Sequence, residues 1–204
     1  MKTGTEDLTK QVNTMLKGID LSHHNSNISL KGNDFVIVKA TEGTTFKDHK
    51  RDYWRSLAEK SGITLHGFYH YARPEKNSYI DEANHFVNTI AKYVPYNNTI
   101  LALDWENTAL KHDIKWAIGW LNLVEQLTGV KPVFYCQASY TTKIGEIYKN
   151  GNGLWVAHYT SANKPRIGAY PFWTIWQYTS SNGKLDKDYF NGSREQYLAY
   201  CRVH

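Results

Sequence analysis

The sequence predicts a single α/β domain built as an irregular TIM-like (β/α)5(β)3 barrel. Strand-like and helix-like runs alternate through most of the 204 residues, no Pro- or Gly-rich linker divides them, and the last strands have short connections. Alternation of this kind is typical of parallel strands joined by crossover helices. The length also suits one barrel domain.

Short runs rich in β-branched and aromatic residues are predicted to be the strands of this barrel. They are GIDLS (18–22), FVIVKATEG (35–43), TLHGFYHYA (64–72), ILALDWEN (100–107), PVFYCQ (132–137), LWVAHY (154–159), WTIWQYTS (173–180) and KLDKDYF (184–190). Strand–helix units followed by strands with short connections predict a (β/α) barrel whose last third has lost its helices.

Segments with helical periodicity lie between or after these strands. They cover residues 49–61, 78–93, 112–128, 139–149 and 193–203. Gly62, Gly129 and Gly151 stand where C-terminal caps are expected, because glycine adopts the left-handed conformation of that position without strain. The polar residues 1–17 are predicted to be a lead-in, and the barrel domain is expected over 18–204.

Composition and charge restrict the possible functions. The net charge is +5 and the pI about 9.0, but Lys and Arg are scattered and form no run, which disfavours a nucleic-acid partner. No stretch approaches the roughly 18 apolar residues of a membrane span, and the N-terminus lacks the apolar core of a signal peptide. We therefore expect synthesis in the cytoplasm, no membrane insertion and no obligate protein partner. Cys136 and Cys201 are too few for a disulfide scaffold and are predicted to be buried free thiols.

The stretch ILALDWEN ends a buried strand with paired acids. Side chains alternate along a strand, so Ile100, Ala102, Asp104 and Glu106 share one side and Trp105 lies on the other. If the first side faces the barrel interior, the two acids emerge at the carboxyl-end mouth, where barrel enzymes carry their chemistry. Trp105 is then expected to pack against a helix.

Further acids are expected at the same mouth, namely Asp20, Glu42 and Asp186. Crowded carboxylates repel one another, so one of them keeps its proton near neutral pH. Glycoside hydrolysis needs a protonated acid at the leaving oxygen and an ionised partner beside the developing positive charge. The rise of about 6.6 Å between positions i and i+2 of a strand leaves retaining, inverting and substrate-assisted routes open.

No metal ion and no cofactor is expected. His66 and His70 share a strand face but stand about 13 Å apart along it, too far to bind one ion. The adjacent His23 and His24 point in opposite directions in extended chain. The sequence also lacks the usual metal, phosphate-loop, dinucleotide and nucleophilic-serine motifs.

Eight motifs occur in the order of one known enzyme family. They are GIDLSHHN, FVIVKATEGTTFKD, GFYHYARP, DEANHFV, LALDWEN, LWVAHY, WTIWQYTSS and LDKDYFNGS. Together they resemble glycoside hydrolase family 25, the N-acetylmuramidases (lysozymes) found in many bacteriophage endolysins, over residues 18–192. The resemblance implies an irregular barrel that cuts the β-1,4 bond between N-acetylmuramic acid and N-acetylglucosamine in its partner, bacterial cell-wall peptidoglycan.

The resemblance also implies roles for individual acids. Glu106 is then the general acid that holds the proton, and Asp104 is its ionised partner. Asp20 and Asp186 are the further catalytic carboxylates. Asp188 stands where the family carries Asn, which leaves open which of the two late acids faces the groove.

The resemblance also implies substrate contacts at Lys39, Tyr69 and Tyr135, with Glu42 as a further candidate. Strand alternation puts Lys39 and Glu42 on opposite faces, so both can reach the groove only if their strand ends in a bulge. Lys39 is the preferred candidate of the two.

Two other functions remain open at this point. The first is chitinase-like hydrolysis of N-acetylglucosamine polymers, which also uses closely spaced acids. The second is a non-catalytic barrel that binds carbohydrate. The muramidase reading predicts action at the bacterial cell wall after release from the cytoplasm, as in phage-type host lysis.

Overall fold

The computed structural model describes residues 15–93, 95–180 and 185–202. Its strands are β1 Leu16–Leu21, β2 Phe35–Glu42, β3 Phe46–Lys47, β4 Leu65–Tyr71, β5 Thr99–Asp104, β6 Val133–Gln137, β7 Leu154–Ala157, β8 Ile175–Thr179 and β9 Asp186–Phe190. Its α-helices are α1 Arg51–Lys60, α2 Tyr79–Ile90, α3 Ile114–Thr128, α4 Gly145–Lys149 and α5 Arg194–Tyr200.

Parts of three predicted segments fall outside these residues. Residues 1–14 of the expected lead-in, Lys184 of the last predicted strand and Val203 of the last predicted helix are not described. The remainder of the lead-in does not stand apart from the barrel, because β1 already begins at Leu16.

Eight strands close into a barrel in the order β1, β2, β4, β5, β6, β7, β8, β9. Neighbours from β1 to β8 run parallel. The last strand, β9, is antiparallel to both β8 and β1 and joins them. The short β3 pairs with the end of β2. The predicted single-domain α/β barrel is confirmed.

The helices cover the barrel unevenly. α1, α2, α3 and α4 follow the β2–β3 pair, β4, β5 and β6, while no α-helix intervenes between β7 and β8 in the described residues. None of the described helices is long and apolar enough to cross a membrane.

Helix α5 closes the end of the barrel that lies opposite the carboxyl ends of the parallel strands. Its buried Tyr197 lies 5.3 Å from Phe35 and 5.0 Å from Phe190, measured between ring centroids. The Tyr197 hydroxyl donates a hydrogen bond of 2.7 Å to the main-chain oxygen of His66. The interior is therefore sealed at its base.

The two faces of β5 contribute to two separate cores, as the alternation predicted. Ile100 and Ala102 belong to the core inside the barrel. Trp105 belongs to the core between barrel and helices, and its ring centroid is 5.7 Å from that of Trp116 in α3. The interior side of this strand thus leads to the acids at its carboxyl end.

Smaller predictions of local structure are also confirmed. Gly62, Gly129 and Gly151 follow helices with φ of 80°, 74° and 82°, the left-handed region that glycine enters without strain. Cys136 and Cys201 are free and buried.

Candidate active site

A cavity of about 180 Å³ lies at the carboxyl ends of the parallel strands. Its lining consists of Asp20, Tyr69, Asp104, Glu106, Tyr135, Trp155, Tyr159, Gln177 and Asp186. The four acids are the predicted catalytic carboxylates, and two of the tyrosines are predicted substrate contacts. Residues from both ends of the chain therefore meet around one space.

Strand direction explains how the acids converge. Asp104 is the last residue of β5, and Glu106 follows in extended conformation with φ −143° and ψ 179°, so the alternation continues beyond the strand. Because β9 runs antiparallel, it begins at the mouth with Asp186, which is paired with Asp20 of β1.

Asp104 and Glu106 are both held in surroundings that disfavour their charge. Asp104 is 8% exposed, and its Oδ1 atom is buried without a hydrogen-bond partner. Burial, together with repulsion from Glu106, raises the pKa of Asp104 well above its ordinary value. Burial also raises the pKa of Glu106, and the Lys39 ammonium opposes that rise. Burial therefore favours the protonated form of both carboxyls, and it does so more strongly for Asp104, which is the more deeply buried of the two.

Gln177, which was not predicted from the sequence, holds Asp20 in place. Its Nε2 donates to Asp20 Oδ2 at 2.8 Å, while its Oε1 accepts the hydroxyls of Tyr135 at 3.1 Å and Tyr159 at 2.7 Å. These two donors fix which end of the amide faces the acid. Burial raises the pKa of Asp20 to about 7, repulsion from Asp186 adds to it, and the Gln177 bond opposes it.

Asp186 and Asp188 lie at different depths in the barrel, and only Asp186 faces the cavity. Asp186 lines the cavity and is partly exposed. Asp188 lies beneath it inside the barrel and is 0% exposed. There its Oδ1 accepts the indole N–H of Trp155 at 2.9 Å.

A bulge in β2 brings Lys39 and Glu42 to the same side. The register between β2 and β4 shifts between Lys39 and Thr41, and Lys39 Nζ donates to Glu42 Oε2 at 2.7 Å. Arg73 Nε donates to the other carboxylate oxygen at 2.8 Å. Neither Lys39 nor Glu42 is among the described residues that line the cavity; they form a charged rim beside it.

Asn107 connects Glu106 to Tyr71, whose ring centroid lies 4.7 Å from Lys39 Nζ. Its Nδ2 donates to the Tyr71 hydroxyl at 2.8 Å and to Glu106 Oε1 at 3.0 Å. The residue has φ 51°, a left-handed conformation that asparagine tolerates better than most residues. The turn after β5 therefore orients the Glu106 carboxyl.

The missed residues Trp155, Tyr159 and Gln177 carried a usable signal. Alternation in LWVAHY and WTIWQYTS places Trp155 on one face with Tyr159, and Gln177 on one face with Ile175. Trp155 and Ile175 belong to the interior core. The same alternation that places Asp104 at the mouth therefore indicates all three residues.

Of the two buried histidines of β4, His70 is held by hydrogen-bonding partners from two other elements. His70 Nδ1 lies 2.7 Å from Thr41 Oγ1, and its Nε2 lies 2.7 Å from Glu82 Oε2. Among the described residues, no group of three or more His, Cys, Asp or Glu is arranged to hold a metal ion.

Comparison with known proteins decides the family. The sequence profile described as "Glycosyl hydrolases family 25" matches residues 19–186. The chain belongs to this family. It is therefore a glycosidase by family, and the resemblance carried by its motifs is confirmed.

Relatives of this family 25 chain include bacterial and endolysin proteins. It is 27% identical to Lysozyme M1 of Streptomyces globisporus, over 90% of the chain and 70% of that protein. The bacterial lysozyme structure from Streptomyces coelicolor superposes with a TM-score of 0.80 at 29% identity, covering 91% of the chain and 96% of that structure. The CTP1L endolysin structure gives 0.73 at 28% identity, covering 90% and 69%.

The chain is shorter than several of its relatives. It spans 61% to 70% of the length of four bacterial proteins that it matches. Family membership concerns the barrel that carries the cavity, since the matched residues 19–186 extend from β1 into β9.

Proposed function

We propose that this family 25 chain is a lysozyme that cleaves the β-1,4 bond between N-acetylmuramic acid and N-acetylglucosamine in peptidoglycan. The observation that carries the proposal is the convergence of Asp20, Asp104, Glu106 and Asp186 on one cavity at the barrel mouth. Burial raises the pKa values of all four, so these carboxyls keep a proton to higher pH than carboxyls in water, as a general acid requires.

Glu106 is the proposed general acid. It is less buried than Asp104, and Asn107 orients its carboxyl. A proton delivered from Glu106 to the glycosidic oxygen allows the leaving sugar to depart as an alcohol. Asp104, deeper in the same site, is the proposed ionised partner; it stabilises positive charge at the anomeric carbon or on the substrate's own acetamido group.

One proton has to move for these roles to be filled. In the free protein burial favours a protonated Asp104, whereas catalysis needs the proton on Glu106. As the glycosidic bond breaks, positive charge develops next to Asp104, which favours the ionised form of that carboxyl. The proton of the pair then resides on Glu106 and passes to the leaving oxygen.

The proposed substrate contacts are aromatic and charged. Tyr69 and Tyr135 line the cavity together with Trp155 and the exposed Tyr159, and their flat faces suit sugar rings. The rim formed by Lys39 and Glu42 lies beside the acids and is proposed to meet polar substituents of the glycan. Action at the bacterial cell wall follows from this substrate.

Digestion of purified peptidoglycan, followed by identification of the new reducing ends, tests the proposal. Muramic acid ends are expected. N-acetylglucosamine ends, or release of peptides alone, would contradict the proposal. Chitin oligosaccharides in a parallel reaction test the chitinase-like alternative, and turnover of chitin without turnover of peptidoglycan would favour it. The Glu106→Gln variant is the matched negative control.

A further inference from the structure

Asp188 is a buried carboxyl with too few hydrogen-bond donors for a full negative charge. It lies on the interior face of β9, between Gly18 of β1 and Gln177 of β8 in the sheet register. The Trp155 indole donates to its Oδ1 atom at 2.9 Å, and its Oδ2 atom is buried and receives no donor. An ionised carboxylate has about four acceptor sites to fill, so this environment favours the neutral acid.

The carboxyl nearest to Asp188 belongs to Asp20 on the neighbouring strand β1. Asp20 shares a strand face with Gly18, the register partner of Asp188 on β1, and it bonds to Gln177, the register partner of Asp188 on β8. The two carboxyls come within hydrogen-bonding reach, and this contact opposes the rise that burial causes in the pKa of Asp20 and adds to the rise in the pKa of Asp188. Two carboxylates cannot bond to each other unless one carries a proton, because the ionised form only accepts. Asp20 already accepts Gln177 Nε2 at 2.8 Å and borders the cavity, so the ionised member of the pair is Asp20.

On the basis of the proposed function, we propose that Asp188 is a positioning residue: it stays protonated in the working enzyme and donates a hydrogen bond to the Asp20 carboxylate. Gln177 and Asp188 then hold Asp20 from two strands, β8 and β9. This donor opposes the rise in the Asp20 pKa that burial causes. The role is indirect, because Asp188 does not itself line the cavity.

The arrangement makes the site sensitive to alkaline pH. Titratable groups that interact with Asp188 include Asp20 from β1, Asp186 from its own strand, and the phenols of Tyr159, Tyr178 and Tyr197. All of these are acids or phenols, so loss of the Asp188 proton places a second negative charge beside Asp20.

The same proton has a consequence for stability. Burial raises the pKa of Asp188 well above its ordinary value, so the folded chain keeps a proton that the unfolded chain releases. The contribution of this proton to the free energy of unfolding is greatest below the pKa of about 3.9 that Asp188 has in the unfolded chain. It decreases as pH rises from there towards the pKa of Asp188 in the folded chain. An asparagine at this position donates from Nδ2 and has no proton to lose.

Asp188→Asn and Asp188→Leu variants test the proposal through unfolding and activity. The melting temperature of Asp188→Asn, relative to the parent, is expected to increase steadily as pH rises above about 4. Its activity should persist, with the alkaline limb of kcat/KM moved to higher pH. Asp188→Leu, which has no donor, should lose about tenfold in kcat with little change in KM.

Asp34→Asn is the control for removal of one acidic charge. Asp34 is exposed and accepts the main-chain N–H of Lys17, a bond that the asparagine oxygen can still accept. The burial that penalises a charge at Asp188 is absent at Asp34, so Asp34→Asn should not reproduce the gain in melting temperature with pH. Absence of that gain in Asp188→Asn would overturn the proposal, as would an Asp188→Asn variant as inactive as Asp188→Leu. The unfolding measurement needs no activity, so absence of muramidase turnover in the parent would refute the proposed function and leave the Asp188 result readable.

Discussion

Gln177 Nε2 donates to Asp20 Oδ2 at 2.8 Å, which joins β8 to β1 across the intervening strand β9. The amide cannot rotate freely, because its oxygen accepts the hydroxyls of Tyr135 and Tyr159. The hydroxyls of Tyr135 and Tyr159 thereby orient the Gln177 amide, and the amide in turn holds the Asp20 carboxyl on the far side of β9.

Substitution of Gln177 by alanine should lower kcat by about tenfold, because Asp20 loses a buried donor and the two tyrosine hydroxyls lose their acceptor. Circular dichroism checks that the barrel persists, and kcat and KM on cell-wall substrate give the effect. A Tyr159→Phe variant removes only one donor to the same amide and should be milder. Equal activity of Gln177→Ala and the parent would show that Gln177 has no role in catalysis.

Glu106→Gln should reduce kcat by on the order of 10²–10⁴, the usual contribution of general acid catalysis. The fold should be unaffected, since the glutamine carbonyl can still accept the Asn107 bond. Reducing-end release from peptidoglycan measures the loss. Near-normal turnover would exclude Glu106 as the acid.

Asp104→Asn should lower activity by roughly 10²-fold, as expected for a group that stabilises transition-state charge, and should also stabilise the fold. The folded pKa of Asp104 is raised by burial, so its ionisation costs stability above the unfolded pKa of about 3.9. The asparagine variant should therefore melt at a higher temperature than the parent, by a margin that grows with pH. Unchanged activity would move the search for the partner carboxylate to Asp186 or Asp20.

Lys39→Met should move the pH optimum upward. The Lys39 ammonium lowers the pKa of Glu106, so its removal keeps the general acid protonated to higher pH and shifts the alkaline limb of kcat/KM in that direction. Lys47→Met is the control, because Lys47 is an exposed cation on the neighbouring β3. A pH profile that shifts equally in both variants would indicate a general charge effect.

The sequence was sufficient for the parts of the structure that depend on periodicity. Alternation along β5 correctly placed Ile100 and Ala102 inside, Trp105 outside, and Asp104 with Glu106 at the mouth. Glycine caps marked where helices end. These features are local, so a short window of residues contains the information needed to predict them.

Features that depend on register and depth could not be predicted in the same way. The bulge after Lys39 was needed for Lys39 and Glu42 to reach the same side of β2, but the sequence did not predict it, because one inserted position leaves no clear mark in a short strand. The relative depth of Asp186 and Asp188 follows from antiparallel closure by β9. The raised pKa values of Asp104 and Glu106 are caused by burial, and alternation alone does not show how deeply a side chain is buried.

The antiparallel closure also sets when the enzyme can become competent during synthesis. Asp20 and Asp186 are neighbours in space, yet β1 is synthesised long before β9. Contacts of such sequence separation form late in folding. While β9 is still inside the ribosome, the nascent chain has an open sheet and lacks one of its four mouth acids, so catalytic competence should arise only after β9 has emerged.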